Sequence, residues 1–257
     1  MTSTRDEMRA RALSAAGELA AWSGDLPAAR ASIGDAVVIW REAGRQREIA
    51  SALLELGWGY FYAGDDDAAR QSMEESLRIA KSVGERPLIN RARVGLMQVL
   101  VALGELEIVE PMAREALADA ERQDDLRSAH FAHHFLADCA LIRGDCAMAG
   151  PRYRRALELA VELGDRSETT FEIQGVAMAA AGVSLAARAL RLGGAAKAEL
   201  DSLGIDYTGI RFWNALLDRY FGRARAELGA AAAEAAWELG RRTDLESAIE
   251  EALREGT

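Results

Sequence analysis

Gly24, Gly64, Gly104 and Gly144 stand forty residues apart, and each is followed by an acid: Asp25, Asp65, Glu105 and Asp145. A fixed period of this length restricts the chain to a stack of alike supersecondary units, since no single unit could bury its own apolar face. Each Gly-acid pair reads as a chain reversal followed by an acidic N-cap. Five residues beyond each glycine stand Ala29, Ala69, Val109 and Ala149, and twelve beyond it Ala36, Ser76, Ala116 and Ala156, with Val37, Leu77, Leu117 and Leu157 beside them. A second comb runs through Gly44, Gly84, Gly164 and Gly204, with Asp124 in the missing place. These are residue types that tolerate the left-handed conformation ending a helix. Two combs offset by twenty residues predict two helices of roughly 16 to 18 residues per repeat. A fifth unit keeps Ala189 and Ala196 but carries Ser184 in place of the turn glycine.

Composition agrees with helices. The 257 residues are 50% hydrophobic, with four prolines and few β-branched residues, so an all-α chain with a substantial core is expected. A formal net charge of -10 argues against direct nucleic-acid binding, which needs a concentrated basic footprint. Only Lys81 and Lys197 are lysines among 31 basic residues, a pattern that fits GC-rich bacterial coding. No basic segment joins an apolar run at the N-terminus, and no stretch of about 18 apolar residues occurs. A soluble, cytoplasmic chain without membrane contact is expected. Cys139 and Cys146 are too few for a disulfide framework and are not spaced as CxxC, so they read as reduced core residues.

Within "LGWGYFYAGDDDAARQSMEESL", Leu56-Gly57-x-x-Tyr60 followed by Ala69 and Met73 resembles the tetratricopeptide signature L-G-x-x-Y…A-x3-F. Gly57 then serves close helix approach, whereas Gly59 has no evident role. The forty-residue units, longer than the roughly 34 residues usual for that repeat, look like the repeat region of LuxR-type and related ATPase-containing bacterial transcriptional regulators. The "AGD" and "RGD" turns, "RALRLGGAAKAEL" and the Ala-Trp-x-x-Gly-Arg stretch of the tail are similar to the same region.

The resemblance implies a right-handed α-α superhelix, a TPR-like solenoid of about five helical hairpins over residues 1–206, closed by a C-terminal helical cap over 207–257. In that tail Phe212, Trp213, Leu216, Leu217, Tyr220 and Phe221 make one apolar helix face, and Thr243 to Glu246 reads as a capping box. Pro111 and Pro151 fall inside the second helices of repeats three and four, so a kink or a late helix start is expected there.

Chemical motifs are few. No Gly-Lys dipeptide, HExxH, GxSxG, strand-associated Rossmann glycine pattern or basic helix-turn-helix occurs, and no enzyme activity or cofactor is expected. If the chain is part of such a regulator, its ATPase and DNA-binding parts lie elsewhere. All histidines cluster in "HFAHHFLAD". His130, His134 and Asp138 form a helical stripe about 12 Å long, too long for one metal ion, and no other His or Cys cluster supplies a third ligand. No metal site is therefore expected, and a metal-dependent enzyme using this stripe is the last of three readings. Acidic turn residues such as Asp65 to Asp67 and the Arg152-Arg154-Arg155 group read as solvated.

In tetratricopeptide arrays the first helices line a concave groove. The columns implied to face it contain Ser14, Leu54, Val94, His134 and Gln174, and then Glu18, Trp58, Gln98, Asp138 and Met178. Lys and Asn, which hold a terminal carboxylate in the chaperone-tail-binding members, are absent there. The groove candidates are Trp22, Trp58, Tyr62, Arg91, Gln98, Phe131, His134 and Asp138. They suit a protein or peptide, or a small-molecule effector. The leading reading is the non-catalytic signal-sensing region of a bacterial transcriptional regulator, with a constitutive assembly adaptor as the alternative. An exposed end or the aromatic tail face could pair two chains.

Overall fold

The structure is a computed structural model that describes residues 4–205 and 207–254, apart from the side chain of Trp22. The described residues form thirteen α-helices and no strand. In order they are α1 (Thr4–Trp22), α2 (Leu26–Glu42), α3 (Gln46–Ala63), α4 (Asp66–Val83), α5 (Arg86–Ala102), α6 (Leu106–Glu121) and α7 (Leu126–Ile142). Then follow α8 (Cys146–Glu162), α9 (Arg166–Gly182), α10 (Ala186–Leu203), α11 (Arg211–Leu228), α12 (Ala230–Arg241) and α13 (Leu245–Leu253). The expected all-α repeat of a TPR-like solenoid is thus present among the described residues, with ten helices of similar length followed by three more in the tail. Two compact units divide the chain at Gly104: α1 to α5 form the first, α6 to α13 the second.

Both combs sit where the chain reverses. Gly24, Gly44, Gly64, Gly84, Gly104, Gly144, Gly164 and Gly204 take φ values between 66° and 84°. The two substitutes follow them into the left-handed region, Asp124 at 52° and Ser184 at 62°. At the α3 end the Gly64 N–H donates to the Phe61 carbonyl (3.0 Å) and the Asp65 N–H to that of Tyr60 (2.9 Å), satisfying carbonyls the helix leaves open. The next helix starts at once, because the Asp65 carboxylate accepts from the Ala68 N–H at 3.1 Å. Asp25 and Asp145 cap α2 and α8 in the same way. Glu105, one methylene longer, makes no such bond.

The small-residue columns are the contact lines between helices. Ala29, Ala36, Ala69 and Ser76 in the first unit, and Val109, Ala149, Ala156 and Ala189 in the second, are inaccessible to solvent. The Ser76 hydroxyl donates to the Ala50 carbonyl at 2.7 Å, which removes the cost of burying it. Gly57 has the packing role its signature suggests: a Cβ there would lie 2.6 Å from Met73 Cγ. Gly59 also has one, since its Cβ would meet Ala21 Cβ at 3.1 Å and Leu26 Cδ2 at 3.3 Å. The first core gathers Ile33, Trp40, Ile49, Leu53 and Ile79; the second centres on Leu141, Tyr153, Leu157, Ile173, Leu190 and Trp213. Both cysteines are free and buried. No described helix is long and apolar enough to cross a membrane.

One local expectation is narrowed and another needs correction. Helices α6 and α8 do not start late: they begin directly after Glu105 and Asp145 and run through Pro111 and Pro151. Each proline lies about a turn and a half into its helix, so it forfeits one hydrogen bond near an end where several N–H groups lack intrahelical partners anyway. The cap of α13 is Asp244 rather than Thr243. Asp244 accepts from the Ser247 N–H at 2.9 Å, while the Thr243 hydroxyl donates back to the Leu239 carbonyl.

In the tail, α11 packs on α9 and α10, α12 on α10, and α13 on α8 to α10. The α10–α12 contact is backbone against backbone. A Cβ on Gly194 would lie 2.3 Å from the Trp237 carbonyl oxygen, and one on Gly240 would lie 2.0 Å from that of Arg191. "RLGGAAK" and "AWELGRR" are therefore two halves of one close crossing.

Gly240→Ala should destabilise the protein by about 2 kcal/mol or more, because backbone cannot move aside as a flexible side chain can. Urea unfolding measures it, and an unchanged midpoint would contradict the crossing. At the reversals the sign is opposite. Asp124→Gly and Ser184→Gly should each stabilise by about 1 kcal/mol by relieving a left-handed L-residue. A lowered thermal midpoint in both would show that these turns are not under that strain.

Candidate functional site

In the first unit, Trp58 and Tyr62 lie one turn apart on α3. Their rings stack at a centroid separation of 6.0 Å and an interplanar angle of 25°, with Phe61 edge-on to Trp58 at 5.9 Å. Trp58 is half-buried and Tyr62 is 43% exposed. Together with Glu18 and Ala21 of α1 and Glu55 and Gly59 of α3 they line a shallow cleft. Gly59 gives this cleft its floor by letting α1 approach α3. Arg91 reaches from α5 to donate to Glu55 Oε1 at 2.6 Å. Burial raises the Glu55 carboxyl above its ordinary range, and the Arg91 charge offsets only part of that rise. Gln98 lies half-buried on α5. The Trp22 side chain, also a groove candidate, lies outside the described residues.

In the second unit the candidates turn inward. His134 is 8% exposed and Asp138 is inaccessible, while Phe131 is half-buried against His130. The neighbouring helix α9 supplies their partner. Glu172 Oε1 lies 2.8 Å from His130 Nε2 and 2.8 Å from His134 Nδ1. His134 Nε2 stands 3.4 Å from Asp138 Oδ2 without hydrogen-bond alignment, and the Tyr153 hydroxyl of α8 donates to Asp138 Oδ1 at 2.6 Å. Trp213 of α11 stacks on His134 at 5.9 Å and donates from Nε1 to Gln174 Oε1 at 2.8 Å. The columns assigned to a groove here are thus covered by the tail: Gln174 and Met178 are almost fully buried as well.

Buried charges must be matched. For His134, burial alone would lower the pKa. Asp138 and Glu172 outweigh it and raise the imidazole from its ordinary 6.5 to about 10. For Glu172, burial pushes upward, but the His134 charge and the two imidazole hydrogen bonds bring it below the ordinary range. Asp138 moves up, because its burial exceeds the help from His134 and Tyr153. The adjacent His133 behaves oppositely. Burial, then Arg152 and Arg155, lower it to about 4, and its Nδ1 lies 3.2 Å from Arg152.

His130, Glu168 and Glu172 are the described residues whose ligand atoms come close enough to hold a metal ion. The histidine stripe is legible in the sequence, but its third donor is neither His nor Cys and does not stand out by residue type. The signal is its isolation: Glu172 is the only charged residue between Glu168 and Arg188, on a helix otherwise apolar or small. Tyr153 and Trp213 had no such marker.

Residues 8–82 match the family model described as Tetratricopeptide repeat. Searching the curated proteins gives no match. The repeat match and the helical pairs support a tetratricopeptide-repeat protein, a fold that typically serves as a non-catalytic scaffold for protein interaction.

A raised His134 pKa makes stability depend on pH. The imidazolium's contribution is complete below the unfolded value near 6.5 and disappears as pH rises toward about 10. The stability difference between the native protein and His134→Gln should therefore shrink steadily from pH 7 to pH 10 in urea titrations. A constant difference would mean that His134 is neutral in the fold.

Proposed function

We propose that the first unit is a peptide-binding surface, and that the protein uses it as the signal-receiving part of a bacterial transcriptional regulator. The observation that carries this is the Trp58–Tyr62 stack, left accessible beside Glu18 and Glu55 on a segment that matches a tetratricopeptide repeat. Aromatic rings with few rotatable bonds are favoured anchors in interfaces. The Glu18 carboxylate beside them favours a partner segment that offers an apolar side chain next to a Lys or Arg, Glu55 being engaged by Arg91.

The second unit contributes differently under this reading. Residues 1–206 make the repeat array and 207–257 its cap, with Trp213 and the α10–α12 crossing covering what an internal repeat would leave for a ligand. Partner binding to α1, α3 and α5 would then favour one arrangement of the repeats over another, as any ligand with unequal affinity for two states does.

Capture from a bacterial lysate with the immobilised protein, followed by mass spectrometry and affinity measurement on the recovered partner, tests this. Trp58→Ala together with Tyr62→Ala should weaken the partner by about 30-fold or more, the scale of a hot-spot loss. Retention at native affinity by a variant with unchanged circular dichroism would remove this cleft as the binding surface.

A further inference from the structure

We propose that His130 on α7 and Glu168 and Glu172 on α9 bind one first-row divalent transition-metal ion. One imidazole nitrogen and one oxygen from each carboxylate already lie within 4.8 Å of one another. Ligation at about 2.0 to 2.2 Å in a tetrahedral arrangement needs donor separations of roughly 3.3 to 3.6 Å. His130 Nε2 and Glu172 Oε1 are at 2.8 Å, so the ion takes the place of the proton between them and parts them slightly. Glu168, half-buried at the start of α9, closes the set by side-chain rotation and marks the side from which an ion enters.

A second observation points to a ligand independently of the cluster's composition. Glu172 is inaccessible to solvent, yet its Oε2 has no hydrogen-bond partner, and a buried acceptor left open is costly. Three carboxyl groups, Asp138, Glu168 and Glu172, are gathered here, and no Arg or Lys among the described residues forms an ion pair with them. A divalent cation gives the open Oε2 a partner and adds positive charge beside that of His134.

The surroundings are those of a supported site. His134 Nδ1 contacts the same Glu172 oxygen at 2.8 Å, and Asp138, fixed by the Tyr153 hydroxyl, lies 3.4 Å from the other His134 nitrogen. Ligating carboxylates are commonly oriented by such neighbours. Mixed imidazole and carboxylate donors suit Zn²⁺, Mn²⁺ or Fe²⁺ better than Ca²⁺ or Mg²⁺, whose preferred ligands are all oxygen. Three protein ligands leave a fourth position for water.

Isothermal titration of the chelator-treated full chain with ZnCl2, and separately MnCl2, tests the site. One equivalent of at least one ion should bind with Kd below about 10 µM, while MgCl2 and CaCl2 should not compete at equal concentration. Glu168→Gln should weaken binding by about 100-fold or more, whereas His133→Gln, on the adjacent histidine that contacts Arg152 of α8 instead of the carboxylates, should leave it unchanged. Absence of one-equivalent binding by both ions, or native affinity in Glu168→Gln, overturns the proposal. If Glu168→Gln does not fold, Co²⁺ quenching of tryptophan fluorescence decides. The quench should fall at least twofold in Trp213→Phe, whose ring in the native chain stacks on His134, and an undiminished quench would place the ion elsewhere.

Discussion

About every twenty residues this chain must turn back on itself within a few residues, and only a left-handed backbone does that while still satisfying the last carbonyls of the helix it ends. The other features follow from that stride. Helices of 16 to 19 residues in the first ten elements present equivalent positions to their neighbours at constant spacing. A small residue at one position therefore becomes a column of small residues, and the columns set how near the helices come. Where glycine is missing, at Asp124 and Ser184, the left-handed turn is retained. Packing on both sides thus outweighs the local preference of the turn residue.

The second unit differs from the first in burying part of its charged chemistry. In the first, ion pairs such as Arg41–Glu75, Arg45–Glu7 and Arg47–Glu85 are exposed or half-exposed and contribute little individually. The second has exposed pairs of the same kind, such as Arg143–Glu110 and Arg155–Glu158, and a buried cluster besides. His130, His134, Asp138 and Glu172 are held between α7 and α9, beneath Trp213 and beside Tyr153. Removing one member there leaves a charge without water or partner, a change of a different order from losing a surface pair. The tail is what makes the difference, since α11 brings the ring that shuts this cluster off from solvent.

What was legible in the sequence was what is local or periodic. The turns, the N-caps and the small-residue columns each depend on residues within a few positions, repeated at forty. The reason for Gly59 was not legible, because its neighbours Ala21 and Leu26 lie more than thirty residues earlier. The buried cluster was only half legible. Its stripe on α7 obeys helical spacing, but Glu172 does not lie in the same repeat column as either histidine: the offsets are 42 and 38 rather than forty. A comb aligned at forty pairs His130 with Thr170 and His134 with Gln174, and Glu172, midway between those two positions, reaches both imidazoles.

One stripe serves structure in one unit and leaves an accessible cleft in the other because the side chains it carries differ. On α3 the residues corresponding to His134 and Asp138 are Leu54 and Trp58. Leu54 is buried, while Trp58 remains half-exposed beside Tyr62. The same helical face thus carries an apolar anchor in one repeat and a charged network in another. A hydrophobic contact can be completed by a partner that comes and goes, since exposing it costs only area. A network of buried charges cannot be left open in that way, so it has to be closed by the chain's own α11 or matched by a counter-charge. The exposed aromatic pair and the covered carboxylates are therefore two outcomes of one repeat geometry, decided by which side chains its inner face happens to carry.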